Sequence, residues 1–139
     1  MLAATVATAV GLAIGGGMIP SAAQAGGGGY QPPPISWGQC ASPRLQQAGG
    51  ECGFLTVPLD YAKPRGATIQ IAVSRIKAKS ANYQGIMITN PGGPGGSGLT
   101  LSLLGGAIPG NVGADYDWIG FDPRGVGSSK PALSCDTEY

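Results

Sequence analysis

From Thr68 to Ile76 the chain alternates, with Ile69, Ile71 and Val73 on one side and Thr68, Gln70, Ala72 and Ser74 on the other. Period two with β-branched residues predicts a half-buried strand. Phe54-Leu55-Thr56-Val57-Pro58-Leu59 is a second strand candidate, and Pro58 places it at a sheet edge or a strand end. The turn-rich stretch Asp60 to Gly66 joins the two, which predicts an antiparallel pair. Gly85 to Thr89 differs: it is a compact apolar run without alternation, as expected of a strand buried on both faces of a mostly parallel sheet. Gly98 to Leu104 predicts a short helix, ending at Gly105-Gly106, and Tyr116 to Phe121 predicts the next buried strand. Strand, crossover, strand at this spacing is a βαβ unit, whose expected hand is right. The fold class that follows is α/β: an antiparallel strand pair, then a strand–loop–helix–strand unit.

The apolar stretch nearest the start has another character. Leu2 to Ile19 carries no charge and is built from Ala, Val, Leu, Ile, Gly and Thr, with Met18 near its end. Pro20 and Ser21 break it, and Ala23-Gln24-Ala25 satisfies the small-x-small rule for signal-peptide cleavage. A signal peptide over 1–25 is expected, with a mature start at Gly26 and export to the cell envelope or beyond. The stretch lacks Lys and Arg at its head, so either the true start lies upstream or the amino terminus alone supplies the charge. An uncleaved anchor is the competing reading, but many Ala and Gly residues make the run weakly apolar. Residues 26–34 form a Gly/Pro-rich linker, and 35–139 form one domain.

Composition narrows the function. Only 11% of the 139 residues are charged and the net charge is +1, with no basic cluster. Nucleic acid is therefore not expected as a partner, since neutralising phosphates needs clustered Lys or Arg. Cys40 and Cys52 are close enough in sequence for a disulfide that closes a short loop, consistent with an oxidising compartment. Two free thiols are the alternative. A zinc site is not, because this spacing without His is no zinc pattern, and no metal or cofactor is expected. Cys135 is left over, which suggests a partner cysteine further along or on another chain.

Two motifs carry candidate chemistry. Asn90-Pro91-Gly92-Gly93-Pro94-Gly95-Gly96-Ser97-Gly98 follows the third predicted strand. Backbone approaches a substrate closely only where side chains are absent, and backbone N–H groups aimed at a developing oxyanion stabilise a tetrahedral intermediate. Lipases and esterases carry such an element at this position. A phosphate-binding P-loop would need Gly-Lys-Ser/Thr, and a dinucleotide fingerprint is spoiled by Pro91 and Pro94. Taken alone, the run also fits a plain glycine-rich connection.

The second motif is Asp122-Pro123-Arg124-Gly125-Val126-Gly127-Ser128-Ser129. It reads as a structural turn: Asp122 accepts backbone N–H bonds, Gly125 and Gly127 permit positive φ, and the fork of Arg124 suits a carboxylate or carbonyls. Ser97 is a tempting nucleophile, but a hydroxyl needs a base, and the chain holds no His. No Gly-x-Ser-x-Gly occurs either. Ser97 is expected instead to cap the following helix. No catalytic residue is assigned within the chain.

Taken in order, Cys52-Gly53-Phe54-Leu55-Thr56-Val57-Pro58-Leu59-Asp60-Tyr61, Arg75-Ile76-Lys77-Ala78, the glycine run at 90–98 and Gly120 to Pro131 resemble the secreted α/β-hydrolase peptidases of the tripeptidyl aminopeptidase type. These are relatives of proline iminopeptidases, whose loop reads His-Gly-Gly-Pro-Gly; Pro91 stands where that His would be. The resemblance implies an exported serine peptidase acting on peptide substrates and releasing short peptides from free N-termini. It implies an oxyanion donor in the loop, Gly93 first and Gly92 second. It also implies that the nucleophilic Ser, the Asp and the His lie further along the family's chain. On this reading the chain is the N-terminal portion of an α/β-hydrolase domain, truncated before the nucleophile elbow. Lacking the Ser-Asp-His triad it would be inactive alone, and its incomplete sheet would leave it unstable or prone to aggregate. The alternatives are an exported non-catalytic module that binds peptide or carboxylate, and one half of a split hydrolase.

Overall fold

The computed structural model describes residues 30–133. The expected signal peptide and Cys135 lie outside them, as does the linker before Tyr30; residues 31–34 are exposed and irregular. Five strands form one mixed sheet in the order β1-β2-β3-β5-β4. They are β1 (Gly38–Gln39), β2 (Glu51–Pro58), β3 (Thr68–Ile76), β4 (Gly85–Thr89) and β5 (Tyr116–Phe121). A five-residue helix α1 (Pro43–Gln47) follows β1, and two 3-10 segments, Leu99–Ala107 and Pro109–Asp115, connect β4 to β5. This is an α/β arrangement with few helices.

The pairing follows from connection length. The turn at 59–67 returns β3 antiparallel to β2, with Pro58 opposite Thr68 and Glu51 opposite Arg75. Twenty-six residues separate β4 from β5, enough for a crossover, and the two lie parallel with Met87 opposite Trp118. β5 also runs antiparallel to β3, placing Ile76 opposite Trp118. The sheet is therefore mixed rather than mostly parallel. Pro58, which has no N–H to donate, sits at the end of β2. The Cys40–Cys52 disulfide closes the loop that holds α1, and Leu45 of that helix is buried.

Three expectations need correction. First, β4 is not buried on both faces. It is an edge strand among the described residues, and Ile86 and Ile88 are 60% and 70% exposed. Met87 shares a side with Trp118 and borders the 3-10 layer, so Ile86 and Ile88 point to the opposite face, which no helix among the described residues covers. An apolar run reports a tendency to be buried, not the strand's place in the sheet. Second, the segment after Gly98 is 3-10 rather than α. Gly105 and Gly113 explain it: a Cβ on Gly105 would fall within 2.2 Å of the Trp118 indole, and one on Gly113 within 2.0 Å of the Gly105 carbonyl. Trp118 Nε1 donates to the Gly113 carbonyl at 2.8 Å, locking this tight wrap. Third, the more polar side of β3 is not a solvent face. Ala72 and Ser74 are buried, and Ser74 Oγ donates to the Leu99 carbonyl at 2.6 Å while lying 2.9 Å from Ser102 Oγ. Small residues there let the crossover lie close on the sheet.

One ion cluster ties β2 to β3. Glu51 accepts from Arg75 at 2.7 Å and from Lys77 at 3.2 Å, and the Arg75 guanidinium stacks 4.2 Å from the Trp37 ring centre. The Arg75 hydrogen bond foremost, then that from Lys77, holds the Glu51 carboxyl below its ordinary value of 4.5. A depressed carboxylate pKa contributes stability above the unfolded value and loses it as pH falls through the folded value. Glu51→Gln should therefore flatten the acid side of the stability curve. The check is the thermal midpoint at about pH 6 and about pH 3, where the variant should lose less than the parent.

Candidate active site: a glycine loop clasped to a buried carboxylate

β4 and β5 are parallel neighbours, so the loop leaving β4 and the turn leaving β5 emerge at the same end of the sheet. The glycine loop, 90–98, stands largely in solvent. Gly92, Gly93 and Gly95 have φ of +67°, +45° and +89°, and a Cβ at any of them would meet nothing within 4 Å. What requires glycine there is the left-handed backbone. At the loop's exit the reason reverses: Gly98 is buried, and a Cβ would lie 2.2 Å from the Phe121 carbonyl oxygen.

The loop is held at both ends. Asn90 Oδ1 accepts the Gly92 N–H at 3.2 Å. At the exit, Asp122 Oδ1 accepts both the Ser97 hydroxyl at 2.6 Å and the Gly98 N–H at 3.0 Å. Asp122 Oδ2 accepts the Ser128 N–H at 2.7 Å. The residue is fully buried, and its carboxylate links the loop to the turn of residues 122–129. Gly127, at φ +54°, makes room, since a Cβ there would sit 2.3 Å from Oδ2. The Asp122 N–H donates to the Ala72 carbonyl, and Ser129 Oγ donates to the Asp122 carbonyl at 2.7 Å while accepting the Ala72 N–H. Loop, turn and β3 are thus one hydrogen-bonded unit.

Arg124 works one layer out. Its guanidinium donates to the carbonyls of Leu59 at 2.7 Å and Pro58 at 2.9 Å, and lies over the Tyr61 ring. It satisfies carbonyls at the end of β2 rather than a carboxylate. Gly125, at φ +71°, lets Leu133 pack on the turn. Ser97 does not cap the segment that follows: the cap position is Gly98, without a side-chain cap bond. The preference of Ser for helix starts misled the sequence reading, because a buried acceptor from another strand competes for the hydroxyl. The roles of Asn90 and Ser97 had no local signal beyond their polarity beside glycines.

Gly92 and Gly93 differ in what their amides can do. The Gly92 N–H is engaged by Asn90, whereas the Gly93 N–H has no partner among the described residues. Two concavities, of about 150 and 190 Å³, lie elsewhere, against Trp118 and Tyr116 at the start of β5. No group of three or more His, Cys, Asp or Glu among the described residues could hold a metal ion. No helix among them is long and apolar enough to cross a membrane.

No protein-family model matches the chain. It is 46% identical over 106 residues to a tripeptidyl aminopeptidase of Streptomyces lividans, covering 73% of the chain and 20% of that protein. The chain is homologous to peptidases of the tripeptidyl aminopeptidase type. It is also 40% identical over 109 residues to the serine protease Hip1 of Mycobacterium tuberculosis, covering 76% of the chain and 21% of the relative. A carboxylesterase B of the same organism is 35% identical over 126 residues, covering 86% and 24%. The chain spans about a fifth of the length of the first of these curated relatives. The motif resemblance drawn from the sequence agrees with the first two of these relatives on the peptidase type.

Proposed function

We propose that this chain forms the oxyanion-loop portion of an exported serine peptidase of the α/β-hydrolase fold, one that releases short peptides from free N-termini. The observation that carries the reading is the Gly93 N–H, without a partner among the described residues and presented at the end of a parallel strand pair by a loop clasped at both sides. Peptide and ester hydrolysis both pass through a tetrahedral intermediate with a developing oxyanion, and a fixed amide donor beside it lowers the barrier. Gly93 is the donor rather than Gly92, whose N–H already serves Asn90. The names of the relatives, peptidase, protease and carboxylesterase, support acyl-transfer chemistry.

The remaining machinery is assigned outside these 139 residues, which contain no His to serve as base. The open, apolar β4 fits a sheet that continues on that side, because its outer edge has no partner strand among the described residues. The Cys40–Cys52 disulfide supports export, since such bonds persist in oxidising compartments. Under this reading the chain supplies electrostatic stabilisation, and the complete enzyme supplies the nucleophile, the base and the recognition of the substrate amine.

The test is a chimera. The matching segment of the S. lividans tripeptidyl aminopeptidase is exchanged for residues 30–133 of this chain. The chimera should hydrolyse a tripeptide p-nitroanilide with a free N-terminus and leave the N-acetylated form intact, whereas the 139-residue chain alone should cleave neither. A chimera that folds like its parent yet is inactive, or turnover by the chain alone, would overturn the proposal.

A further inference from the structure

We infer that the Ser97 hydroxyl is a positioning group for the oxyanion loop, clasping the loop's exit to the buried carboxylate of Asp122. This rests on the reading of Gly93 as an oxyanion donor. Between the two anchors, Asn90–Gly92 on one side and Ser97–Gly98 on the other, residues 93–95 form only a local turn, and Gly93, Pro94, Gly95 and Gly96 make no hydrogen bond to a described residue outside the loop. Gly93 and Gly95 hold left-handed φ in open space, with no side-chain packing to fix them. Glycine loses more conformational freedom on ordering than any other residue, so such a span drifts unless its ends are fixed.

Both exit bonds converge on Asp122 Oδ1. The Ser97 bond, at 2.6 Å, is a short charge-assisted O–H···O⁻ contact. The Gly98 amide alone fixes one point. The adjacent hydroxyl fixes a second, and two points set the direction in which the chain leaves Gly96. Oxyanion stabilisation requires the donor to be aimed before charge develops, so a small error in that direction reaches Gly93 as lost catalysis.

Ser97 is itself solvent-exposed, so its truncation opens no cavity and leaves the Gly98 bond to Asp122 in place. Nor does the hydroxyl read as a nucleophile. Its bonding partner is a carboxylate, a weak base already engaged by two backbone amides.

The experiment compares Ser97→Ala and Ser97→Thr in the chimera described above. Ser97→Ala should lower kcat about tenfold and leave KM within about twofold, as expected for an interaction felt in the transition state. Its melting temperature should stay within about 2 °C of the parent's, and Ser97→Thr should restore most of the rate. An unchanged kcat overturns the inference. So does a fall in activity that tracks a lower melting temperature, or an abolition of turnover that Thr does not rescue, which would make Ser97 the nucleophile. If the unsubstituted chimera folds but is inactive, the functional reading fails, and amide exchange in that folded chimera then decides the clasp. Exchange of the Gly98 N–H should quicken about tenfold in Ser97→Ala; unaltered exchange sinks the clasp itself.

Discussion

Asp122→Ala should destabilise the chain by about 4 kcal/mol, near the upper end for single substitutions. The side chain is fully buried, and its two oxygens accept three hydrogen bonds, from Ser97 Oγ, Gly98 N and Ser128 N. Hydrogen bonds to a charged acceptor contribute about 1.5–3 kcal/mol each. They do not all count in full here, because Ser97 and Ser128 are exposed and water can replace the carboxylate at both. Gly98 is buried, so its N–H would be left without a partner, and that desolvation cost decides the magnitude. Asp122→Asn keeps the volume and one acceptor but points an amide NH₂ at a backbone N–H, so about half the loss is expected. Urea unfolding followed by tryptophan fluorescence measures both, since Trp118 lies on β5, the strand that leads into Asp122. A loss under about 1 kcal/mol for Asp122→Ala would show that the loop and turn are held by their backbones alone.

That carboxylate also marks the limit of what the sequence could disclose. The spans of β3, β4 and β5 match the expected runs Thr68 to Ile76, Gly85 to Thr89 and Tyr116 to Phe121, because β-branched and aromatic residues bounded by turn formers leave little freedom in placing a strand. β2 begins at Glu51, three residues before the expected Phe54, since its first residues are held by their partners Arg75, Ser74 and Val73 rather than by propensity. β1 and α1 had no visible pattern: two and five residues are too few for periodicity to register. The crossover misled for a physical reason as well. Leu99, Leu101, Leu103 and Leu104 suggest a helix, but Gly105 and Gly113 are placed for contact with Trp118 and with each other, and such an approach is invisible until the strands are assembled.

The glycine loop was legible as a place where backbone is exposed, because four glycines within five residues have few other uses. Its anchoring was not. Ser97 and Asp122 are 25 residues apart and meet only because β4 and β5 lie parallel with both C-terminal ends on one side. A contact set by sheet topology leaves no trace in local composition.

Removing the disulfide, as Cys40→Ala with Cys52→Ala, should cost about 3 kcal/mol, the loop-closure entropy of a short cross-link. The bond spans a sequence separation of 12 and joins the segment just after β1 to β2. Its loop contains α1, a five-residue helix too short to persist by itself. Leu45, buried on that helix, and Gly50, whose N–H donates to the Leu45 carbonyl at 2.7 Å, depend on the loop staying closed. β1 is more exposed to the loss, because only two residues pair it to β2, Gly38 with Cys52 and Gln39 with Glu51. Part of the Gln46 side chain's bond to the Cys40 carbonyl would survive, so the helix should fray rather than vanish. The expected pattern under hydrogen exchange is therefore uneven: residues 38–50 lose protection first, while β3 and β5 keep theirs until global unfolding. A uniform loss across the sheet would instead mean that the bridge acts on the unfolded chain alone, with no local role in keeping the α1 loop closed.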